Sequence, residues 1–165
     1  MHDIKLYNTN MLKNKLLTFI LFLIVTFSAS FIGGIVSIYY KDPWYSLLTK
    51  PSFNPPDWIF APVWTTLYLM MTFSIWIFWH SKRKEIQTVY IYFIHIVVNT
   101  TWTIVFFLLH NLVLAAVILV LLIIMIIVMI HRFKSVNLIS VYLMIPYLLW
   151  CLYALILNVS LINLN

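Results

Sequence analysis

Five times in 165 residues the chain runs for about twenty positions or more without a charged side chain: Leu16–Tyr40, Trp58–Trp79, Ile86–Leu109, Leu112–Ile130 and Val136–Leu164. A run of that length and apolarity is long enough to cross the hydrocarbon core of a bilayer as a helix. Helix is the form expected, because a span in lipid must satisfy its own backbone polar groups and the runs lack the alternation of barrel strands. The expected fold is an all-α integral membrane protein. It is a five-transmembrane-helix bundle in a single domain, 1–165, with helices over about 14–40, 57–80, 86–109, 112–132 and 136–161.

Composition agrees and removes other classes. Only 8% of residues are charged and 64% are hydrophobic, too little polar surface to cover a domain in water. The net charge of +6 does not describe a nucleic-acid surface, because the basic residues abut the ends of the apolar runs, where they can anchor at lipid headgroups. Eight of the ten Lys and Arg lie in the N-terminal tail (Lys5, Lys13, Lys15) and in the connections after the second and fourth runs (Lys82, Arg83, Lys84, Arg132, Lys134). Lys41 and Lys50 alone lie on the other side. The positive-inside rule then puts the N-terminus inside and the C-terminus outside. The first run, with lysines before it and "SAS" at 28–30, has features of a secretory signal. Its apolar character continues through "FIGGIVSIYY", so a retained helix is expected. Cys151, the single cysteine, reads as a small core hydrophobe.

One connection is unlike the others. Residues 41–57 hold Pro43, Pro51, Pro55 and Pro56 together with Trp44, Tyr45 and Phe53, and Trp58 follows. The prolines restrict the backbone and oppose disorder, and "NPPD" is suited to a helix start with Asn54 or Asp57 as N-cap. Two readings stand side by side on the residues alone: an interfacial aromatic belt, or a folded lid across the end of the bundle.

Spacing defines three faces below this connector. In the second span Trp64, Tyr68, Met71 and Ile75 share one side, in the third His95, Asn99, Trp102 and Phe106, and in the fifth Pro146, Trp150, Tyr153, Ala154 and Leu157. Such faces either pack helices together or wall a cavity for a large, flat, mainly apolar ligand oriented by a few polar atoms, such as Asn99 and the Tyr68 hydroxyl. Ala29, Gly33 and Ser37 form a small-residue stripe in the first span, which fits either packing within the bundle or a dimer interface. His95 in mid-span is read as a hydrogen-bonded partner of Asn99, with axial ligation of a haem iron as the alternative. The five histidines form no cluster with metal-ligand spacing, and His80, His110 and His131 fall at helix ends.

The stretch "WYSLLTKPSFNPPDWIFAPVWTTLYLMM" resembles the signature of the TspO/MBR family, the tryptophan-rich sensory proteins of bacteria and the mitochondrial translocator protein. Trp44, Tyr45, Lys50, Pro51, Phe53, Pro55, Pro56, Trp64 and Tyr68 carry the resemblance. Asn99, Trp102, Phe106 and Phe107 extend it in "VVNTTWTIVFF", and Pro146, Tyr147, Trp150, Ala154, Leu157 and Asn158 in "LMIPYLLWCLYALILN". The resemblance implies the lid, and beneath it a cavity that binds porphyrins such as protoporphyrin IX or related hydrophobic molecules. The expected ligand-binding residues are Tyr45, Pro55, Phe60, Trp64, Tyr68, Asn99, Trp102, Phe106, Trp150, Tyr153, Ala154 and Leu157. It also implies a bacterial cell membrane as the location and a homodimer through Ala29, Gly33 and Ser37.

Three functions follow from that resemblance. The first is a receptor or sensor, with porphyrin as ligand and no cofactor required. The second is an enzyme degrading porphyrin with light and oxygen, with Trp64 and Trp150 as candidate redox residues. The third is a carrier of porphyrin or sterol. No carboxylate lies within a span, which opposes an acid-coupled pump. Two departures from the family bear on the choice. The fifth span ends "NVSLINLN", without the Tyr and basic residue of the animal members' cholesterol pattern, and Phe53 stands where Trp is more usual.

Overall fold

Each expected span is a helix in the computed structural model, which describes residues 2–165 and, from Asn14 onward, their side chains. The expected anchors Lys5 and Lys13 therefore lie outside the described side chains. Helix α1 runs His2–Tyr40, the short α2 Trp44–Leu47, α3 Phe60–Trp79, α4 Ile86–Thr103, α5 Leu112–Lys134 and α6 Leu138–Leu164. A 3-10 turn, Asp57–Ile59, leads into α3, and α4 continues as a π-helical turn, Ile104–Leu108. Five of these helices are long and apolar enough to cross a membrane, so the chain is a multi-pass integral membrane protein.

The spans form a ring. Helix α1 packs on α3 and α4, α3 packs on α6, α6 on α5, and α5 on α4. Inside it Met71, Ile75, Phe78, Leu119, Leu122, Ile126, Met129, Phe133, Met144 and Tyr147 are fully buried. Side chains such as Ile24, Leu121, Ile124 and Ile127 face outward, the surface a bilayer covers. Helices α3 and α6 are clasped by a reciprocal pair: Ser74 Oγ donates to the Ser140 carbonyl at 2.8 Å and Ser140 Oγ to the Ser74 carbonyl at 2.9 Å. Asn111 caps α5 by accepting from Leu114 N, and Asn137 caps α6 by accepting from Ile139 N.

The connection between α1 and α3 is a docked lid. Trp44 stacks on His110 at 4.4 Å between ring centroids, and Tyr45 packs against Phe106 and Phe107. Asn165 at the end of α6 receives Thr49 N at 2.9 Å and donates to Thr49 O at 3.1 Å. Tyr153 donates its hydroxyl proton to the Phe53 carbonyl at 2.7 Å. Lys50 lies over the Tyr45 ring, 4.5 Å from its centroid, and Lys41 pairs with Asp57. One expectation is corrected: neither Asn54 nor Asp57 caps a helix. Asn54 accepts from the Tyr45 hydroxyl and donates to Pro55 O. Asp57 is engaged by Lys41, so both side chains fasten the lid.

Candidate ligand cavity

Under the lid the ring of helices does not close. Helices α1 and α3 pack tightly toward the end opposite the lid, where Phe19 meets Phe73 and Trp76, and Phe22 meets Trp79. Toward the lid, residues of α1, α3, α4 and α6 line a cavity of about 380 Å³, within the usual range for small-molecule sites. Its floor and far wall are aromatic. Trp64 stacks on Tyr68 at 5.4 Å and lies 6.1 Å from Trp102, which in turn lies 5.6 Å from Phe106. Lys41 and Asp57 line the rim. The lining residues Gly34 and Ile38 of α1 and Ala61 and Thr65 of α3 are exposed, so the cavity opens sideways between these two helices.

Local sequence explains the walls. In α3 the i, i+4 spacing of Trp64 and Tyr68 points both rings inward, while Met71 and Ile75 continue the same face into the core. At the end of α4 the π-helical turn widens the helix, and both Phe106 and Phe107 line the cavity. On α1, Gly33 has no side chain, and a Cβ there would sit 3.4 Å from the Thr103 side chain. Small residues let α1 approach α4 at one edge of the cavity.

Behind the floor lies a buried polar chain. The Tyr68 hydroxyl donates to Asn99 Oδ1 at 2.7 Å, Asn99 Nδ2 donates to the Tyr147 oxygen at 3.0 Å, and His95 Nε2 is 2.8 Å from that same oxygen. With Asn99 donating to it, Tyr147 directs its own proton to His95 Nε2. His95, Asn99 and Tyr147 are at most 1% exposed. Pairing of this kind is what makes such side chains tolerable inside a membrane bundle.

Of the expected ligand residues, Tyr45, Phe60, Trp64, Tyr68, Trp102, Phe106, Ala154 and Leu157 line the cavity. Pro55, Asn99, Trp150 and Tyr153 do not. Asn99 lies one layer behind, with its amide held by Tyr68 and Tyr147. Trp150 packs edge-on against Phe60 at 6.0 Å and beside Tyr153 at 5.5 Å, and Tyr153 reaches the lid. The buried face of α6 keeps Leu157 of the expected one but is otherwise rotated from it, with Ser140, Met144, Tyr147, Cys151, Asn158 and Leu161. His95 meets Asn99 through Tyr147 rather than directly. Ala29, Gly33 and Ser37, the stripe considered for a second copy, line the cavity of their own chain.

Sequence reasoning named the α1 stripe for packing or a dimer and Asn158 for the family resemblance without placing either at the cavity, and it missed Leu161. The available signal was the 3-4 spacing of Met144, Tyr147, Cys151, Ala154, Asn158 and Leu161, which runs the length of α6.

A family model described as the TspO/MBR family matches residues 19–164. The chain is 33% identical over 136 residues to Protein CrtK of Rhodobacter capsulatus, covering 81% of this chain and 85% of that one. It is 31% identical over 162 residues to the Tryptophan-rich protein TspO of Chlorobaculum tepidum, covering 93% of this chain and 99% of that one. It is also 29% identical over 119 residues to the human Translocator protein, covering 70% of each.

Proposed function

Because the chain belongs to the TspO/MBR family, we infer that it is a membrane receptor that takes a flat hydrophobic ligand of the porphyrin class into the cavity beneath its lid. One observation carries this reading: a cavity of about 380 Å³ whose wall is the ring series Trp64, Tyr68, Trp102 and Phe106. Aromatic faces at stacking distance suit a planar π-system, and the small residues of α1 and Ala154 leave room for it. The open side between α1 and α3 admits a ligand broader than the cavity, with its acidic edge outward near Lys41. The lid, on this reading, lies at the outer face of a bacterial cell membrane.

The second reading, light-driven porphyrin breakdown, is favoured by the closeness of Trp64 to Trp102 and to Tyr147, 6.1 and 6.2 Å between centroids. Three oxidisable rings, with Trp64 packed against each of the other two, offer a path for an electron from the wall of the cavity. Trp64 is then the redox residue, and Trp150 acts behind Phe60.

Protoporphyrin IX added to the purified protein tests both readings. Saturable quenching of tryptophan fluorescence in the dark, weakened by Trp64→Leu, is the expected result. Protein-dependent loss of the porphyrin absorption band in light, abolished by Trp64→Phe, would move the assignment to an enzyme. Absence of quenching would overturn the porphyrin reading.

A further inference from the structure

At the end of the bundle opposite the lid, an open groove of about 610 Å³ lies between the connection leaving α3 and the one entering α6. Two buried rings bring these connections together. Phe78 of α3 and Phe133 of α5 are fully buried, with ring centroids 4.8 Å apart. The Phe78 carbonyl accepts from Ser81 N at 3.1 Å, and the Phe133 carbonyl accepts from Val136 N at 2.9 Å and from Asn137 N at 2.8 Å. Each connection therefore turns on one member of a packed pair. The Ser74–Ser140 clasp holds α6 to α3 beneath them, so the groove is fixed by the fold.

Its charge has one sign. Lys82 and Arg83 line the groove and are exposed, with His80, Ser135 and Asn137 beside them, and no carboxylate is among the lining residues. Among the described residues neither Lys82 nor Arg83 pairs with a carboxylate, and Glu85 is taken by Arg132 at 3.1 Å. Asn137 uses its Oδ1 to cap α6 through Ile139 N, which leaves its Nδ2 protons to donate. Ser81 and Ser135 already donate to the Ile77 and Arg132 carbonyls. The groove thus offers two cations and one amide donor. Partial burial, then Lys15 and Lys84, lower the pKa of His80, a second sign that positive charge here lacks a counter-charge. The groove also lies where spans end. Trp76 and Ile77 of the last turn of α3 line it, and Leu138, Ile139 and Tyr142 in the first turns of α6 are exposed, the kind of surface acyl chains cover.

We propose that this groove binds the phosphate of an anionic phospholipid. Lys82 and Arg83 meet the phosphate oxygens, the Arg83 fork being suited to two of them at once, and Asn137 Nδ2 donates to a third. The acyl chains lie along the apolar surface of the spans. A headgroup that carries its own cation, such as choline, brings positive charge to a groove that already has an excess and is disfavoured. Free phosphate finds the same donors but has no chains to bury.

Native mass spectrometry of the full-length protein from micelles holding equal amounts of phosphatidylglycerol and phosphatidylcholine reads the lipid retained. Retention is expected to favour phosphatidylglycerol about tenfold, the order set by two basic residues at a membrane surface. Lys82→Gln with Arg83→Gln should bring that preference to within about twofold. Lys84→Gln with Lys134→Gln removes the same charge from the same end but outside the groove, and should keep most of it. Asn137→Asp retains an acceptor to cap α6 while placing an anion in the groove, and should cut retention without lowering the thermal midpoint. Equal retention of the two lipids by the unaltered protein, or equal loss in the two double variants, overturns the site and leaves only a general attraction to a positive surface. Displacement of phosphatidylglycerol by millimolar inorganic phosphate overturns the lipid as the occupant.

Discussion

Tyr68 and Asn99 meet across the α3–α4 side of the cavity, the Tyr68 hydroxyl donating to Asn99 Oδ1 at 2.7 Å, and this contact joins the ligand space to a buried polar chain. Asn99→Leu leaves the Tyr68 hydroxyl without its acceptor and removes one of the two partners of the Tyr147 oxygen, His95 remaining. It is expected to destabilise the protein by about 1–3 kcal/mol, the usual cost of stranding buried polar groups. Tyr68→Phe strands only Asn99 Oδ1 and is expected to cost about 1 kcal/mol. Thermal midpoints of both variants in one detergent check the order; a reversed order would count against the chain as drawn.

Gly33 permits a close approach of α1 to Thr103, since a Cβ there would lie at 3.4 Å. Gly33→Ala is expected to fold with little loss, because contact at that distance is near van der Waals range. Gly33→Leu has to displace Thr103 or enter the cavity, and is expected to weaken ligand binding by about tenfold or more. A fluorescence titration of the two variants distinguishes them, and equal affinities would contradict the placement of α1.

His80 ends α3, with its Nε2 2.8 Å from Thr18 Oγ1. Partial burial, followed by Lys15 and Lys84, lowers its pKa from the usual 6.5. A base with a lowered folded pKa favours the neutral form in the fold. Its stabilising contribution is therefore present above pH 6.5 and is lost as pH falls through the lower folded value. Thermal midpoints in detergent should fall as pH is lowered below 6.5, and His80→Gln should flatten that part of the profile. An unchanged slope in the variant would assign the pH dependence elsewhere.

Orientation can be read with cysteine labelling, because Cys151, the single native cysteine, is buried. Ser52→Cys in the lid is expected to react with an impermeant maleimide added to intact cells. Lys84→Cys at the opposite end is expected to react only after lysis. The opposite pattern would invert the assignment drawn from the basic residues.

The spans were legible because a bilayer imposes length and apolarity on every helix that crosses it, and lipid leaves few alternatives. The faces of α3 and α4 were legible for a second reason. There the aromatic spacing coincides with polar side chains that must turn inward: Tyr68 with Thr72, and Trp102 with His95 and Asn99, of which Thr72, His95 and Asn99 are buried. On α6 the two signals part. Trp150 and Tyr153 attracted the assignment, but aromatic rings are equally at home against a lid or in lipid. Ser140 and Asn158 are nearly or fully buried, and they mark the inward direction because hydrocarbon penalises an exposed polar group. The role of α1 was not legible, since small residues serve equally a tight helix contact and the edge of a cavity.

The sideways mouth between α1 and α3 fixes which phase supplies the ligand. Gly34 and Ile38 on one side and Ala61 and Thr65 on the other are exposed within the lid-end turns of two candidate spans, so the mouth opens on the side of the bundle that lipid covers. On the ligand reading proposed above, a hydrophobic molecule would reach it from solution in lipid, already stripped of water. Occupancy then follows the mole fraction of ligand in the membrane. Dilution with empty vesicles at constant aqueous volume should empty the site, while a change in aqueous volume at constant lipid should leave it filled.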